Sequence, residues 1–173
     1  MLPLVRGFDR ALARLEEVFL ALSHATIATL VVVAVFFRYV LNDPLTWTEE
    51  IIVLLFTWML FVGLANAFRA RMHIRIDALL LVLPRKAWPI LGFFAVTATV
   101  LTLVGLTWFG IEQAIGLGGT ETPMMRISAA WGVSAVPVGA ALSLVHVATH
   151  LVEHGVAEAL WPADLGLNEE TSS

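Results

Sequence analysis

The sequence contains no cysteine among its 173 residues, and only 14% of its residues are charged. The missing thiols exclude disulfide bonds, thiolate metal sites and cysteine nucleophiles. Soluble domains carry about 25% charged residues, so the shortage of charge excludes a disordered chain and an ordinary soluble enzyme. A net charge of −4 offers no positive field to nucleic acid. With 59% hydrophobic residues and a mean hydropathy of +0.87, the composition indicates a membrane protein.

Four long runs lack Asp, Glu, Lys and Arg altogether. The shortest has 18 residues, about 27 Å as a helix, which is close to the roughly 30 Å thickness of the hydrocarbon layer. Backbone amides in lipid must be bonded internally, so each run is predicted to be a helix. The sequence therefore predicts an all-α, integral membrane four-helix bundle in a single domain over residues 1–160, with a short cytoplasmic tail at 161–173. The four predicted spans are residues 18–37, 51–68, 87–111 and 127–152.

The basic residues lie unevenly on the two sides of these spans. Eight of the ten Lys and Arg residues fall in the N-terminal segment and the second loop, against one in each of the other two loops. Because basic residues stay on the cytoplasmic side, both termini are predicted to be cytoplasmic in a multi-pass protein of the bacterial inner membrane.

Two segments beside the spans have the pattern of amphipathic helices at the membrane surface. Before the first span, Phe8, Leu12 and Leu15 repeat at helical spacing. After the second span, residues 69–86 combine basic residues with an apolar patch. We expect both to lie on the anionic cytoplasmic face of the bilayer, with a disordered loop as the alternative for the second.

The interior of the predicted bundle lacks charge. Ionisable residues inside the membrane usually mark substrate paths and proton relays. Here the carboxylates and basic groups are expected at or beyond the helix ends, so the chain is predicted to be an accessory subunit rather than a carrier of charged solutes or an enzyme.

The densest polar group lies between the first two spans. Asn42-Asp43-Pro44 predicts a turn, and Glu49 and Glu50 place negative charge in the first turn of the next helix, where Arg38 is positioned to pair with one of them. Trp47 suits the headgroup region. Two interpretations remain open: a capped helical hairpin, or a docking surface for a partner outside the membrane.

Histidines are the remaining candidates for chemistry. His24 and His146 are both predicted about 9 Å from the cytoplasmic edge, where two facing imidazoles would suit a haem iron. His146 and His150 have a spacing that suits a metal. Since no carboxylate is expected nearby, the prediction is that the chain holds no cofactor and no metal. A b-type haem-binding redox subunit that uses His24 and His146 remains the alternative to an accessory subunit. A small stand-alone exporter is the third hypothesis.

Several short fragments occur in a fixed order along the chain. Arg38-Tyr39 closes the first span, and Trp47-Thr48-Glu49-Glu50 opens the second. Further fragments are Trp58 and Gly63 in the second span, the loop from Arg69 to Asp77, which includes Arg71, His73 and Arg75, and Trp131 with Pro137-Val138-Gly139 in the fourth. Together they resemble one family, the small permease (DctQ-like) subunit of tripartite ATP-independent periplasmic (TRAP) transporters, over about residues 10–150.

The resemblance implies three partners. These are a large multi-span permease that carries the substrate and sodium sites, a periplasmic solute-binding protein that delivers an organic anion, and the lipid bilayer. It implies that the small subunit braces the large one and helps to dock the binding protein. Arg38, Trp47, Glu49 and Glu50 would then organise the periplasmic side. On the cytoplasmic side, contacts with the other subunit or with lipid would be made by Arg69, Arg71, His73, Arg75 and Asp77. The positions for helix packing would be Gly63, Trp131, Pro137 and Gly139.

Overall fold

A computed structural model describes residues 2–69 and 88–160. This part of the chain is helical apart from its loops, and four of its helices are long and apolar enough to cross a membrane. The all-α membrane fold is therefore confirmed. The helices are α1 (Leu2–Tyr39), α2 (Trp47–Arg69), α3 (Trp88–Gly116), a single turn α4 (Ala130–Val133) and α5 (Ala135–Leu160).

The four long helices form an open row rather than a closed bundle. α5 packs along both α2 and α3, and α1 packs mainly along α2. The order in space is thus α1, α2, α5, α3, with α1 and α3 on the two flanks. About a third of the fourth span is buried, against 6% of the first, so α5 supplies most of the core.

The first helix begins well before the predicted span. α1 runs without interruption from Leu2, so the expected amphipathic segment and the first span are one helix. The face that meets the other helices carries Ala13 and Glu16, both buried, whereas Leu15 is 69% exposed. Leu15, which belongs to the predicted apolar stripe, thus lies away from the helix contacts, and the placement of this segment at the membrane surface stays a prediction.

The predicted fourth span is interrupted. The helix starts at Ala130 rather than at residue 127, and α4 gives way to α5 at Ser134. Proline has no amide hydrogen, so Pro137 cannot donate to the carbonyl of Val133, four residues earlier. The fourth span is thus broken just before Pro137.

Close backbone approaches hold α5 in the centre of the row. A Cβ atom added to Gly139 would lie 2.6 Å from the carbonyl oxygen of Phe61 in α2. One added to Gly110 in α3 would lie 2.8 Å from Cδ of Pro137. These glycines allow α2, α5 and α3 to pack at distances that a larger residue would prevent.

Candidate functional site

Two groups of polar side chains tie the helices together, one near each end of the long helices of the row. The loop end carries the loops 40–46 and 117–129, and the terminal end is where α1 begins and α2 ends. We call the first group, Arg38, Glu49 and Glu50 with the amides of Met124 and Met125, the loop-end cluster. The second, Asp9, Glu16, Arg69 and His146, is the terminal-end cluster.

The loop-end cluster begins with a turn between α1 and α2. Asn42 adopts a left-handed φ of 53°, which Asn tolerates better than most residues, so the predicted turn is present. It brings Arg38 of α1 against Glu49 in the first turn of α2, where the guanidinium donates to Oε1. The predicted pairing is therefore confirmed. Both side chains are largely exposed, at 49% and 64%.

Glu50 serves a different purpose from its neighbour. Its two carboxylate oxygens accept hydrogen bonds from the backbone amides of Met124 and Met125, at 2.6 and 3.0 Å. These amides lie at the tip of the loop before α4, which folds back through a single antiparallel bridge between Glu121 and Ser128. Glu50 thus fastens the loop 117–129 onto α2, through a contact between residues 74 positions apart that local pattern does not reveal.

The loop-end cluster borders an open surface. A cleft of about 350 Å³ lies between the first turns of α2 and the loop, lined by Glu49, Glu50 and Pro123 among others. Trp47, Met124 and Trp131 expose apolar surface around it. The backbone of Trp131 is fixed, because its carbonyl accepts a hydrogen bond from Nε1 of Trp58 at 2.9 Å. This end combines carboxylates with exposed aromatic and methionine side chains.

The terminal-end cluster is buried and joins three helices. Nδ1 of His146 in α5 lies 2.7 Å from Oδ1 of Asp9, and its Nε2 lies 3.0 Å from Oε1 of Glu16. Arg69, the last residue of α2, donates to the other oxygen of Asp9 at 3.1 Å. The exposed fractions of the side chains are 0% for His146, 3% for Glu16 and 15% for Asp9.

This cluster corrects two expectations. Carboxylates were expected only at or beyond the helix ends, yet Glu16 is buried inside α1. No carboxylate was expected near His146, yet two contact it. A recognisable signal was present, since Asp9, Ala13 and Glu16 are spaced by four and three residues and so share one helical face. A stripe of this kind is ambiguous in sequence because Phe8, Leu12 and Leu15 have the same spacing.

The structure does not bring His24 and His146 together as a haem site. Both ring nitrogens of His146 are held by carboxylates. His24 is exposed, its Nδ1 lies 2.9 Å from the carbonyl of Leu20, and it lies eight residues, about 12 Å, further along α1 than Glu16. The register between α1 and α5 therefore places His146 opposite Glu16. Within residues 2–69 and 88–160, no three His, Asp or Glu side chains are arranged to hold a metal ion.

The remaining predicted residues are the helix-packing positions and the cytoplasmic set. Gly63 lies at an ordinary contact distance from Leu20 of α1, and Pro137 and Gly139 lie at the close approaches of α5 described above. Arg69 belongs to the terminal-end cluster, where its guanidinium contacts this chain. The other four residues of the predicted cytoplasmic set lie outside the described part of the chain: Arg71, His73, Arg75 and Asp77.

The fold is that of a multi-pass membrane protein, and the two polar clusters of its described residues lie towards opposite ends of the helices. A sequence profile of the tripartite ATP-independent periplasmic transporters, DctQ component, matches residues 27–155. The chain therefore belongs to this family, which is one of transporter components and not of enzymes.

Individual relatives agree with this family. The chain is 32% identical over 102 residues to the sialic acid TRAP transporter small permease protein SiaQ of Vibrio cholerae, covering 59% of each chain. It is 28% identical over 118 residues to the C4-dicarboxylate TRAP transporter small permease protein DctQ of Pseudomonas aeruginosa, covering 65% of this chain and 56% of that one. The matched part thus spans little more than half of these relatives.

A third relative is much longer. The sialic acid TRAP transporter permease protein SiaT of Haemophilus influenzae is 29% identical over 107 residues, which are 62% of this chain but only 17% of that one. A segment similar to this chain therefore also occurs inside a far larger permease polypeptide.

Proposed function

We propose that this chain is the non-catalytic small membrane subunit of a sodium-coupled TRAP-type secondary transporter in the bacterial inner membrane. It braces a large multi-span permease and helps to dock a periplasmic solute-binding protein during uptake of an organic anion, such as a carboxylate. Both termini lie in the cytoplasm, so the loop-end cluster faces the periplasm.

The observation that carries this proposal is the open row of apolar helices. Among the described residues, the ionisable clusters lie towards the two ends of the helices and do not form a charged path for an anion along them. The flanking helices α1 and α3 expose long apolar surfaces, including Val32, Phe36, Leu101 and Trp108. Such a row suits a brace laid against a larger membrane protein, which would carry the transport path.

The long relative supports a permease as that neighbour. In SiaT of Haemophilus influenzae, a segment similar to this chain makes up about a sixth of one permease polypeptide. A segment that is covalently joined to a permease in one protein is expected to pack against a permease when it is a separate chain. The relatives named for sialic acid and C4-dicarboxylates support an organic anion as the substrate class.

The loop end supports docking of the binding protein. Glu49 and Glu50 border a cleft outside the apolar part of the row, and Glu50 and the Trp58 hydrogen bond hold the surrounding backbone in place. A preformed acidic surface with exposed Trp and Met side chains is typical of a protein-binding site, because aromatic and methionine residues are enriched at interfaces. Cationic side chains on the partner would complement the carboxylates.

Co-expression with a large TRAP permease from the same organism tests the bracing role. We expect the two to purify as a stoichiometric complex. The chain has no cysteine, so single cysteines at Val32 in α1 and Leu101 in α3 report which flank is covered. At least one should react with a membrane-permeant maleimide more slowly in the complex than in the isolated subunit. Equal reaction at both positions, or organic-acid transport by this chain alone in liposomes, would contradict the proposal.

The docking role has its own test. In proteoliposomes that contain both membrane subunits and the binding protein, the double variant Glu49→Gln with Glu50→Gln should lose most of the uptake while still inserting and assembling. Glu112→Gln, which changes an exposed carboxylate in α3, is the matched control and should keep normal uptake. Normal uptake by the double variant would reduce the loop-end cluster to a structural role.

A further inference from the structure

The outer flank of α1 carries an ionisable side chain far from both polar clusters. His24 is the only Asp, Glu, Lys, Arg or His residue between Glu17 and Arg38. It is exposed, and it lies about 12 Å from Glu16 and about 21 Å from Arg38 along the helix, beyond the reach of its own side chain. An ionisable residue inside a membrane span usually faces protein, because an unsatisfied polar group in hydrocarbon is costly.

The helix that carries His24 satisfies only one of its two ring nitrogens. Nδ1 lies 2.9 Å from the carbonyl oxygen of Leu20, which can only accept, so the Nδ1–H group donates to it. Nε2 has no partner in the part of the chain that the structure describes. The second nitrogen of the ring is therefore left for a group on another molecule.

Hydroxyl groups on the same helices need no such group. Thr29 in α1, Thr57 in α2 and Thr107 in α3 each donate to the carbonyl oxygen four residues earlier, at 2.8 Å. A hydroxyl that bonds back to its own helix leaves no donor unsatisfied in lipid. The imidazole of His24 differs from these side chains because one of its two polar atoms stays without a partner.

The residues that share the face of His24 allow another helix to approach. Ala28, Val31 and Val35 follow it at intervals of four, three and four residues, so they lie on the same side of α1, and all three are exposed. Small residues in such a position let the backbones of two helices come close. A helix packed on this face would bring its side chains within hydrogen-bond distance of His24.

The flank on the other side of the row has no comparable group. The single ionisable residue of α3 is Glu112, four residues before this helix ends at Gly116 at the loop end. The exposed side chains of α3 before that point include Phe94, Leu101 and Trp108, which are compatible with lipid tails. The two exposed flanks therefore differ in their need for a polar partner.

We propose that the large permease covers the outer face of α1, and that a hydroxyl or carboxamide side chain on one of its helices forms a hydrogen bond with Nε2 of His24. Hydroxyl and carboxamide groups both donate and accept, so either suits a ring nitrogen. The occupant is a permease because a segment similar to this chain is part of a permease polypeptide in SiaT of Haemophilus influenzae. This inference rests on the proposed function and selects α1, rather than α3, as the covered flank.

Photo-crosslinking identifies the covered flank. The photoreactive amino acid p-benzoylphenylalanine is placed at Val31 in α1 or, as the matched control, at Leu101 in α3, whose side chains are 43% and 66% exposed. In membranes that contain the assembled complex, we expect an adduct with the permease from Val31 and little or none from Leu101. An equal or greater yield from Leu101, or an adduct at Val31 between two copies of this chain alone, would overturn the proposal.

The same membranes separate this inference from the proposed function. If the unmodified chain does not purify with the permease, the proposed function fails, and the assignment of α1 fails with it. If the complex forms but Val31 gives no adduct with the permease, the bracing role stands and only the assignment of α1 is wrong.

Variants of His24 test the hydrogen bond itself. His24→Leu removes both nitrogens, so the affinity of the labelled subunit for the permease, titrated in lipid nanodiscs, should fall about threefold to tenfold. The isolated subunit should keep its stability, because the side chain is exposed there. His24→Gln provides a carboxamide in place of the ring and should retain most of the affinity. Unchanged affinity in His24→Leu, or an equal loss in both variants, would overturn the proposed bond.

Discussion

The two ends of the row use the same chemical groups in opposite surroundings. At the loop end, Arg38 and Glu49 pair in the open, with about half or more of each side chain exposed. At the terminal end, His146 and Glu16 pair with almost no exposure. Water and ions weaken the first interaction, whereas the second forms where neither side chain can interact with water instead.

This difference shows which cluster maintains the fold and which is available to a partner. An exposed ion pair contributes about 0–1 kcal/mol to stability, so its two residues are free to be used for docking. Removing one member of a buried pair leaves the other charged and unsolvated, so the buried cluster is a structural necessity. Four predictions test this contrast, in order of expected effect.

The largest effect is expected from His146→Leu. Asp9 and Glu16 would lose the donor between them, and the free energy of unfolding should fall by about 3–5 kcal/mol. Reversible unfolding in mixed micelles, followed by tryptophan fluorescence, measures the loss. Glu17→Gln, at a carboxylate 61% exposed, is the control and should change stability by less than about 0.5 kcal/mol. Equal stability of the two variants would show that burial does not increase the contribution of a polar contact at this end.

The second largest loss of stability is expected at the close approach of α2 and α5, which lies between the two clusters. In Gly139→Ala the new methyl group would lie 2.6 Å from the backbone of Phe61, so α2 and α5 must move apart at a cost of about 1–3 kcal/mol. The same unfolding experiment applies. Gly105→Ala in α3, where no atom lies within 4 Å of the added Cβ, is the matched control and should not be destabilised. Alanine favours a helix more than glycine does, so similar losses in both variants would show that the effect does not come from the contact with Phe61.

A smaller and local effect is expected from Glu50→Gln. The glutamine has one acceptor oxygen for the two amides of Met124 and Met125, so one of the two hydrogen bonds that hold the loop should be lost. Amide hydrogen exchange of these two residues should become about tenfold faster, with little change in global unfolding. Glu49→Gln should leave both exchange rates unchanged, and faster exchange in that variant would merge the two carboxylates into one role.

The smallest effect is expected from Arg38→Gln. Loss of the exposed pair with Glu49 should cost about 0.2–1 kcal/mol at low salt and less in about 0.5 M salt, because counterions screen it. Unfolding measured at both salt concentrations gives this difference. A loss as large as that of His146→Leu would mean that the loop end is as structural as the terminal end.

The features of the chain that depend on local chemistry were predictable from the sequence. The four apolar runs predict four membrane-length helices, because a backbone in lipid must bond to itself. The Asn42 turn and the Arg38–Glu49 pair were predictable since their partners lie only 11 residues apart. The tie from Glu50 to Met124 was not, because nothing near either residue indicates the other.

The terminal-end cluster shows why the remainder was missed. The segment before the first span was predicted to lie on the membrane surface, and no carboxylate was expected near His146. Each assignment was reasonable for its own helix. The contact between them spans 137 residues and depends on the register of α1 against α5, which no single helix contains.

Sequence alone determined that this chain has four apolar helices of membrane-spanning length, that a turn and an ion pair join the first two, and which family it resembles. Those properties follow from hydropathy and from local turn and cap chemistry, which act over a few residues. Only the tertiary structure decided the order of the helices in the row, the break before Pro137 in its final geometry, and the partners of Glu16, Glu50 and His146. These depend on how closely two backbones approach, as at Gly139, and such distances are properties of pairs of helices.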